Sequence, residues 1–316
     1  MQKRPLGRSG LEIAPLVFGG NVFGWTIDEA TSFSLLDAFV DAGLNAIDTA
    51  DVYSRWAPGN QGGESETIIG NWLRAHPGKR DKVLILTKVG SDMGQGHKDL
   101  SAAWIERAVE DSLRRLNTDV IDLYQSHWPD PNTPQEETLR AYDRLLKAGK
   151  VRAIGTSNYD AALLEESLRV AEEKGLPRYE SLQPQYNLYD RSGFDGALRD
   201  LAMREGIGVI TYYSLASGFL SGKYRSKEDL SKSPRGKGVE KYLDARGMRI
   251  LQALDEVSAR LGARPAEVAL AWVIAREGVT APIASATSLE QLRSLVKAVH
   301  LTLSAEDVAA LDQASA

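Results

Sequence analysis

The chain has 316 residues, of which 43% are hydrophobic and 26% charged, with a net charge of −5. That balance suits a large buried core and offers no basic stripe with interleaved aromatics, which argues against nucleic acid as a partner. There is no cysteine, so disulfides, thiolate nucleophiles and cysteine-held zinc are excluded. No apolar run suits a membrane span or a signal segment, so the expectation is a cytoplasmic protein.

The first predicted element is a hairpin. Arg4–Leu6 and Leu11–Ile13 flank Gly7-Arg8-Ser9-Gly10, and a hairpin there could plug the bottom of a barrel. Short β-rich runs follow at Leu16–Gly19, Asn45–Thr49, Val83–Val89, Val120–Ser126, Val151–Ser157, Ser181–Gln185, Gly208–Tyr213 and Pro282–Ala284. Amphipathic stretches separate them. In Ala102–Leu116, residues Ile105, Ala108, Val109, Ser112, Leu113 and Leu116 fall on one helical face, after Ser101 as a candidate N-cap. Other helices are expected to begin near Thr133-Pro134, with Thr133 as the cap, and near Asp160. Eight alternating β-α units predict a parallel sheet covered by helices, and eight strands close a barrel. Ser217–Lys241 is long, polar and rich in Gly, Ser, Lys and Arg, as expected of a lid or ligand strap. Ser304 caps a last helical stretch. With no linker composition and no internal repeat, residues 1–316 read as one α/β domain, a (β/α)8 TIM barrel with an N-terminal hairpin and a C-terminal helix.

Four residues carry the chemistry. Asp48, Tyr53, Lys88 and His127 each end an apolar run or follow just after it, in NAIDTADVY, VLILTKVG and DVIDLYQSH. A parallel barrel opens the C-terminal ends of all its strands onto one face, where these side chains can meet. Singly, each has a bland reading: a strand-end Asp capping a turn, a core Tyr, a satisfied core His. A lysine closing a strongly apolar strand is harder to dismiss, because an unpaired buried ammonium is costly. Jointly they offer a phenol to donate a proton, an ammonium to acidify it, a carboxylate to hold the ammonium and an imidazole to orient an oxygen. The carboxylate pairs Glu64/Glu66 and Glu136/Glu137 read as solvated faces. With only His76, His97, His127 and His300, a metal centre is not expected. No G-x-S-x-G elbow, G-x-G-x-x-G fingerprint or P-loop is present.

Several strings together resemble the aldo-keto reductase superfamily, including its potassium-channel β-subunit-like branch: NAIDTADVYS with GGESETIIG, LTKVG, DLYQSHWPDPNTPQEETLRA, VRAIGTSNYD, LQPQYNLYDR, YYSLASGFLSGKYR and SPRG. The resemblance covers essentially the whole chain and implies an eight-stranded barrel that reduces an aldehyde or ketone with NAD(P)H. It makes Tyr53 the general acid, Lys88 the cation that lowers its pKa, Asp48 the anchor of Lys88, and His127 the group that orients the substrate oxygen. Channel β-subunits usually carry another residue at the histidine position, so His127 favours an enzyme over a cofactor-bound redox-sensing module with little turnover. A phosphate-binding barrel isomerase is a further rival, one that would bind no nicotinamide.

The same resemblance assigns Ser157, Asn158 and Gln183 to the nicotinamide carboxamide and Tyr212 to stacking on the ring. Tyr213, Ser214, Leu215, Ala216 and Ser217 would bind the pyrophosphate with Lys223, and Arg235 would reach the adenosine phosphate. Ser285, Thr287 and Gln291 match positions around the adenosine 2′-phosphate, while Gly20, Asn21 and Asp48 complete the cofactor set. Two departures stand out. Tyr213-Ser214 replaces the Ser-Pro that often follows the stacking aromatic, and ASATSLEQLRSLVKA lacks the Lys, Arg and Asn of many NADPH-preferring members. Lys223 and Arg235, with Arg293, Lys232 and Lys237, could replace that charge, so NADPH is expected over NADH. Trp25, Trp56 and Trp128, with Phe23, Tyr189 and Phe219, suggest an apolar mouth for a neutral carbonyl compound. Arg55 and Arg191 are the nearby charges that could meet an acid group. The sequence leaves the oligomeric state open.

Overall fold

The computed structural model describes residues 1–316. Its chain opens with a hairpin of β1 (Arg4–Pro5) and β2 (Glu12–Ile13), paired antiparallel. Eight further strands follow: β3 (Val17–Gly19), β4 (Ala46–Asp48), β5 (Leu84–Val89), β6 (Ile121–Ser126), β7 (Val151–Ser157), β8 (Ser181–Gln183), β9 (Gly208–Thr211) and β10 (Ala281–Ala284). All their pairings are parallel, and the order β10-β3-β4-β5-β6-β7-β8-β9 closes into a barrel. Around it run α1 (Glu29–Asp41), α2 (Glu64–Ala75), α3 (Ala102–Leu116), α4 (Gln135–Lys147), α5 (Ala161–Lys174), α6 (Ala197–Glu205), α7 (Ala245–Leu261), α8 (Pro265–Ala275), α9 (Leu289–His300) and α10 (Ala305–Ser315). No helix is long and apolar enough to cross a membrane.

Strand alternation sorts the apolar residues into two cores. Ile47, Ile85, Tyr124, Ile154, Leu182 and Val209 face outward into a cluster of 66 buried residues shared with the helices. Val17, Ala46, Leu86, Leu123, Ala153, Ile210, Ala281 and Ile283 form a second cluster of 11 with Leu6, Leu11 and Ile13 of the hairpin. The hairpin therefore closes the barrel from below. Its turn lies against the start of β9, where a side chain on Gly208 would come within 2.5 Å of the Gly7 nitrogen.

Three helix starts follow the expected caps. Ser101 Oγ accepts from Trp104 N (3.3 Å), Asp160 Oδ1 from Leu163 N (2.9 Å) and Ser304 Oγ from Asp307 N (3.1 Å). Thr133 does not cap α4. Its hydroxyl donates to Asp130 Oδ2 at 2.6 Å, and Pro134 takes the cap position with no side-chain bond. Strands β8 and β9 end two residues early. Pro184 lacks an N–H, leaving a single bridge between Gln185 and Tyr212, and Tyr213 turns into the left-handed region with φ 53°. The expected strap is not irregular throughout. It folds into 3₁₀ turns at Ala216–Ser221, Lys227–Lys232 and Gly236–Tyr242.

Candidate active site

The inward positions of the barrel change character along each strand. Two residues beyond Ala46, Leu86, Leu123 and Ser181 come Asp48, Lys88, Gln125 and Gln183, all at most 1% exposed. Side chains two apart share a strand face, so a polar layer sits on the apolar plug at the C-terminal end of the barrel. Lys88 Nζ is its hub. It donates to Asp48 Oδ2 (2.7 Å), Thr49 O (2.8 Å) and Tyr53 Oη (2.8 Å), which uses all three ammonium donors. Tyr53 Oη donates to Asp48 Oδ2 at 3.3 Å, and Gln183 Nε2 donates to Asp48 Oδ1 at 2.9 Å.

The electrostatics correct one expectation. Burial lowers Lys88 from its ordinary 10.5, opposed by Asp48. Tyr53 is pushed well above 10.0 rather than lowered, first by burial and then by the Asp48 charge. The phenol therefore keeps its proton at neutral pH. His127, 9% exposed, lies with its ring 6.0 Å from that of Tyr53. Burial, then Lys88 and Lys98, depress it well below 6.5, so the imidazole is neutral. Its Nδ1 is 3.0 Å from Ser91 Oγ. With Ser91 donating, the ring proton sits on Nε2. Ser91 was not singled out in the sequence, although it follows directly on the Val89-Gly90 end of β5.

The residues assigned to cofactor line this end too. Ser157 Oγ donates to Gln183 O (2.8 Å), Tyr212 Oη to Asn158 Oδ1 (2.7 Å), and Asn158 Nδ2 to His127 O (2.9 Å). Tyr213 is 49% exposed, and Ser214 is buried with its hydroxyl on Thr211 O. Leu215 O accepts from Gly218 N at 2.9 Å, turning Ala216 and Ser217 into the first 3₁₀ segment. Six non-glycine residues adopt left-handed φ: Ser54, Asn158, Tyr213, Ala216, Ser217 and Asn117. Asn117 caps α3; the other five adjoin the candidate site, where backbone strain commonly serves function.

Arg235 comes from the strap. Its Nη2 donates to Asn21 Oδ1 (3.1 Å), while the Asn21 amide nitrogen donates to Ser285 Oγ (2.7 Å), which in turn donates to Gly19 O (2.7 Å). Its guanidinium lies 5.3 Å from the Trp25 ring, its pKa is lowered by burial, and no carboxylate pairs with it. Gly20 O accepts from Ser65 Oγ at 2.7 Å. Gln291 Oε1 accepts from Thr287 N (2.8 Å) and Thr287 Oγ1 (3.0 Å) at the start of α9. Lys223 Nζ stands 5.0 Å over the Tyr224 ring.

Trp25 meets Trp56 edge-on at 5.5 Å, Trp56 meets Tyr53 at 6.0 Å, and Trp128 stacks on His127 at 5.7 Å. The remaining aromatics are committed elsewhere. Phe23 stacks on Phe18, Phe219 on Tyr242, and Tyr189 donates to Asp244. Arg191 is held by Asp195 and Asp312, and Arg55 by Asp92. Glu66 is not on a solvated face. It is fully buried, accepting from Thr87 Oγ1 (2.5 Å) and Arg115 Nε (2.7 Å). Next to it in charge, Asp51 is 2% exposed with neither oxygen bonded, and burial followed by Glu66 raises it well above 3.8.

The profile of the Aldo/keto reductase family matches residues 15–316. Bacillus subtilis (strain 168) uncharacterized oxidoreductase YrpG is 37% identical over 97% of this chain and 93% of its own length. Escherichia coli (strain K12) protein tas is 33% identical over 98% of this chain and 96% of its own. A probable voltage-gated potassium channel subunit beta of Oryza sativa subsp. japonica is 33% identical over 95% and 92%. The chain belongs to the aldo/keto reductase family of oxidoreductases.

Proposed function

We propose that the chain reduces aldehydes or ketones with NADPH, and that Tyr53 is the general acid. The observation that carries this reading is the buried Lys88 ammonium, which joins the buried Asp48 carboxylate to the hydroxyl of the half-buried Tyr53. A nicotinamide held there would supply hydride to the carbonyl carbon. Tyr53 Oη delivers its proton to the carbonyl oxygen as negative charge grows there. The phenolate left behind is stabilised by the Lys88 hydrogen bond, which strengthens as the phenol loses its proton. A neutral His127 with its proton on Nε2 donates to the same oxygen and orients it. Asp48 keeps Lys88 charged. Trp25, Trp56 and Trp128 form the apolar surround that admits the carbonyl compound and limits water.

The residues present fit a dinucleotide. Arg235 is half-buried with no carboxylate partner, and an anion brought to it would complete the guanidinium with charge-assisted hydrogen bonds. Tyr213–Ser217 passes through three left-handed residues, Tyr213, Ala216 and Ser217, a backbone form common in anion-binding turns. Ser157, Asn158 and Gln183 offer the amide and hydroxyl groups for a carboxamide, and Tyr212 the ring beside it. Preference for NADPH rests on Arg235, which reaches Ser285 through Asn21, and on Lys223. Thr287 and Gln291 add neutral donors at the N-terminus of α9. NADPH and NADH consumption measured against aromatic, aliphatic and quinone carbonyls tests the reading. Turnover with NADPH at a kcat/KM well above that with NADH is expected. Equal values overturn the cofactor preference, and no turnover on any carbonyl overturns the reaction.

A further inference from the structure

The segment between β5 and α3 folds over the His127 side of the barrel mouth and is stitched to itself. Gln95 Nε2 donates to Ser91 O (3.0 Å), its Oε1 accepts from Met93 N (2.7 Å), and Asp99 N donates to Gly90 O (3.2 Å). These bonds fix the backbone on both sides of Lys98. The Lys98 ammonium then lies 4.3 Å over the Trp128 ring, and that ring stacks on the His127 imidazole. The charge and the imidazole thus share the same indole as a neighbour.

Nothing in the protein neutralises Lys98. Asp99 caps Ser101 N (2.9 Å) and stands 3.7 Å from His97. Asp130 is filled by Leu100 N, Asn132 N and Thr133 Oγ1. Asp92 accepts from Gly94 N and Gly96 N and faces Arg55. Every nearby carboxylate is therefore satisfied by other donors. An ammonium on an indole face is held weakly, and a carboxylate brought to it forms a stronger, charge-assisted hydrogen bond.

Building on the carbonyl-reduction reading, we infer that Lys98 selects carbonyl substrates bearing a carboxylate remote from the carbonyl. The acid group would lie over Trp128 against the Lys98 ammonium while the carbonyl oxygen lies between Tyr53 and His127. This replaces the neutral substrate that the aromatic mouth alone suggests, and it assigns the acid-binding role to neither Arg55 nor Arg191, both of which are paired. A single exposed ammonium matches a singly charged carboxylate better than a phosphate, which calls for convergent cations.

The test compares para-carboxybenzaldehyde with its methyl ester, in the intact protein with NADPH, for wild type, Lys98→Met and Lys98→Glu. Methionine keeps an apolar stem on Trp128 and removes only the charge. The expected result is a wild-type kcat/KM ratio of acid to ester above one. That ratio should fall roughly tenfold in Lys98→Met, further in Lys98→Glu, and toward the Lys98→Met value when salt is added to wild type. Reduction of both compounds with a ratio unmoved by either substitution overturns this inference and leaves carbonyl reduction standing. Reduction of neither compound by wild type, nor of the wider carbonyl panel, overturns both.

Discussion

The floor of the candidate site and the strap that crosses it are built on opposite plans. The floor is made of strand ends. Asp48 and Lys88 are at most 1% exposed, and each is committed to several partners at 2.7–2.9 Å. The strap is made of 3₁₀ turns whose ion pairs, Arg225–Asp255, Lys227–Glu240 and Lys232–Asp229, lie mostly at the surface. Exposed pairs of that kind contribute about 0–1 kcal/mol each, whereas removing one member of a buried pair costs about 3–5 kcal/mol. On the proposed function, a rigid place for proton delivery is kept apart from an adaptable clasp for the cofactor.

The substitution that should break the floor most severely is Lys88→Met. It leaves the Asp48 carboxylate buried without its cation and leaves Tyr53 without a donor to its oxygen. Turnover should fall at least about a hundredfold and stability by about 3–5 kcal/mol, read together by assay and chemical denaturation. Wild-type stability in this variant would show that the pair is not buried as described. Arg235→Ala addresses the strap. It should weaken NADPH binding roughly tenfold or more while leaving denaturation nearly unchanged, and it should weaken NADH less. A large loss of stability instead would make Arg235 a structural residue and erase the contrast.

Ser91→Ala sharpens the floor. Without the hydroxyl on Nδ1, the His127 ring loses its orienting partner. The expected loss in kcat/KM is about three- to tenfold, with cofactor affinity unchanged and activity recovered in Ser91→Thr. An unchanged carbonyl kcat/KM would detach Ser91 from His127. The last effect is a pH dependence. The folded His127 resists protonation, so as pH falls below 6.5 the unfolded state binds a proton that the folded state does not. Stability is then lost as pH falls, by up to about 1.4 kcal/mol per pH unit from this group. The stability difference between wild type and His127→Gln should shift by that slope across the window. A parallel pair of curves would contradict the burial of a neutral imidazole.

The floor was legible in the sequence because its rule is local. A β-rich apolar run that ends in Asp, Lys or His places a polar group at the open end of a parallel strand, as at Asp48, Lys88 and Ser126-His127. What escaped depends on partners far along the chain. Glu66 reads as solvated from its helical context, yet its ligands Arg115 and Thr87 lie 49 and 21 residues away. The direction of the Tyr53 shift was missed for the same reason. Chain order shows that Lys88 is available, but the balance between its charge, Asp48 and burial exists only in the packed site. In the strap, 3₁₀ turns leave no period of 2 or 3.6 to read, and the Thr133 hydroxyl is drawn away from the helix start to Asp130, three residues earlier.

The central claim is that Tyr53 gives up its proton in a site already assembled around Lys88 and Asp48. Tyr53→Phe tests it most directly, with single-turnover NADPH oxidation and cofactor fluorescence titration measured on the same sample. The prediction is a loss of about 10²–10⁴-fold in the reduction rate at essentially wild-type NADPH affinity. Reduction near the wild-type rate would remove Tyr53 from the acid role and contradict the account.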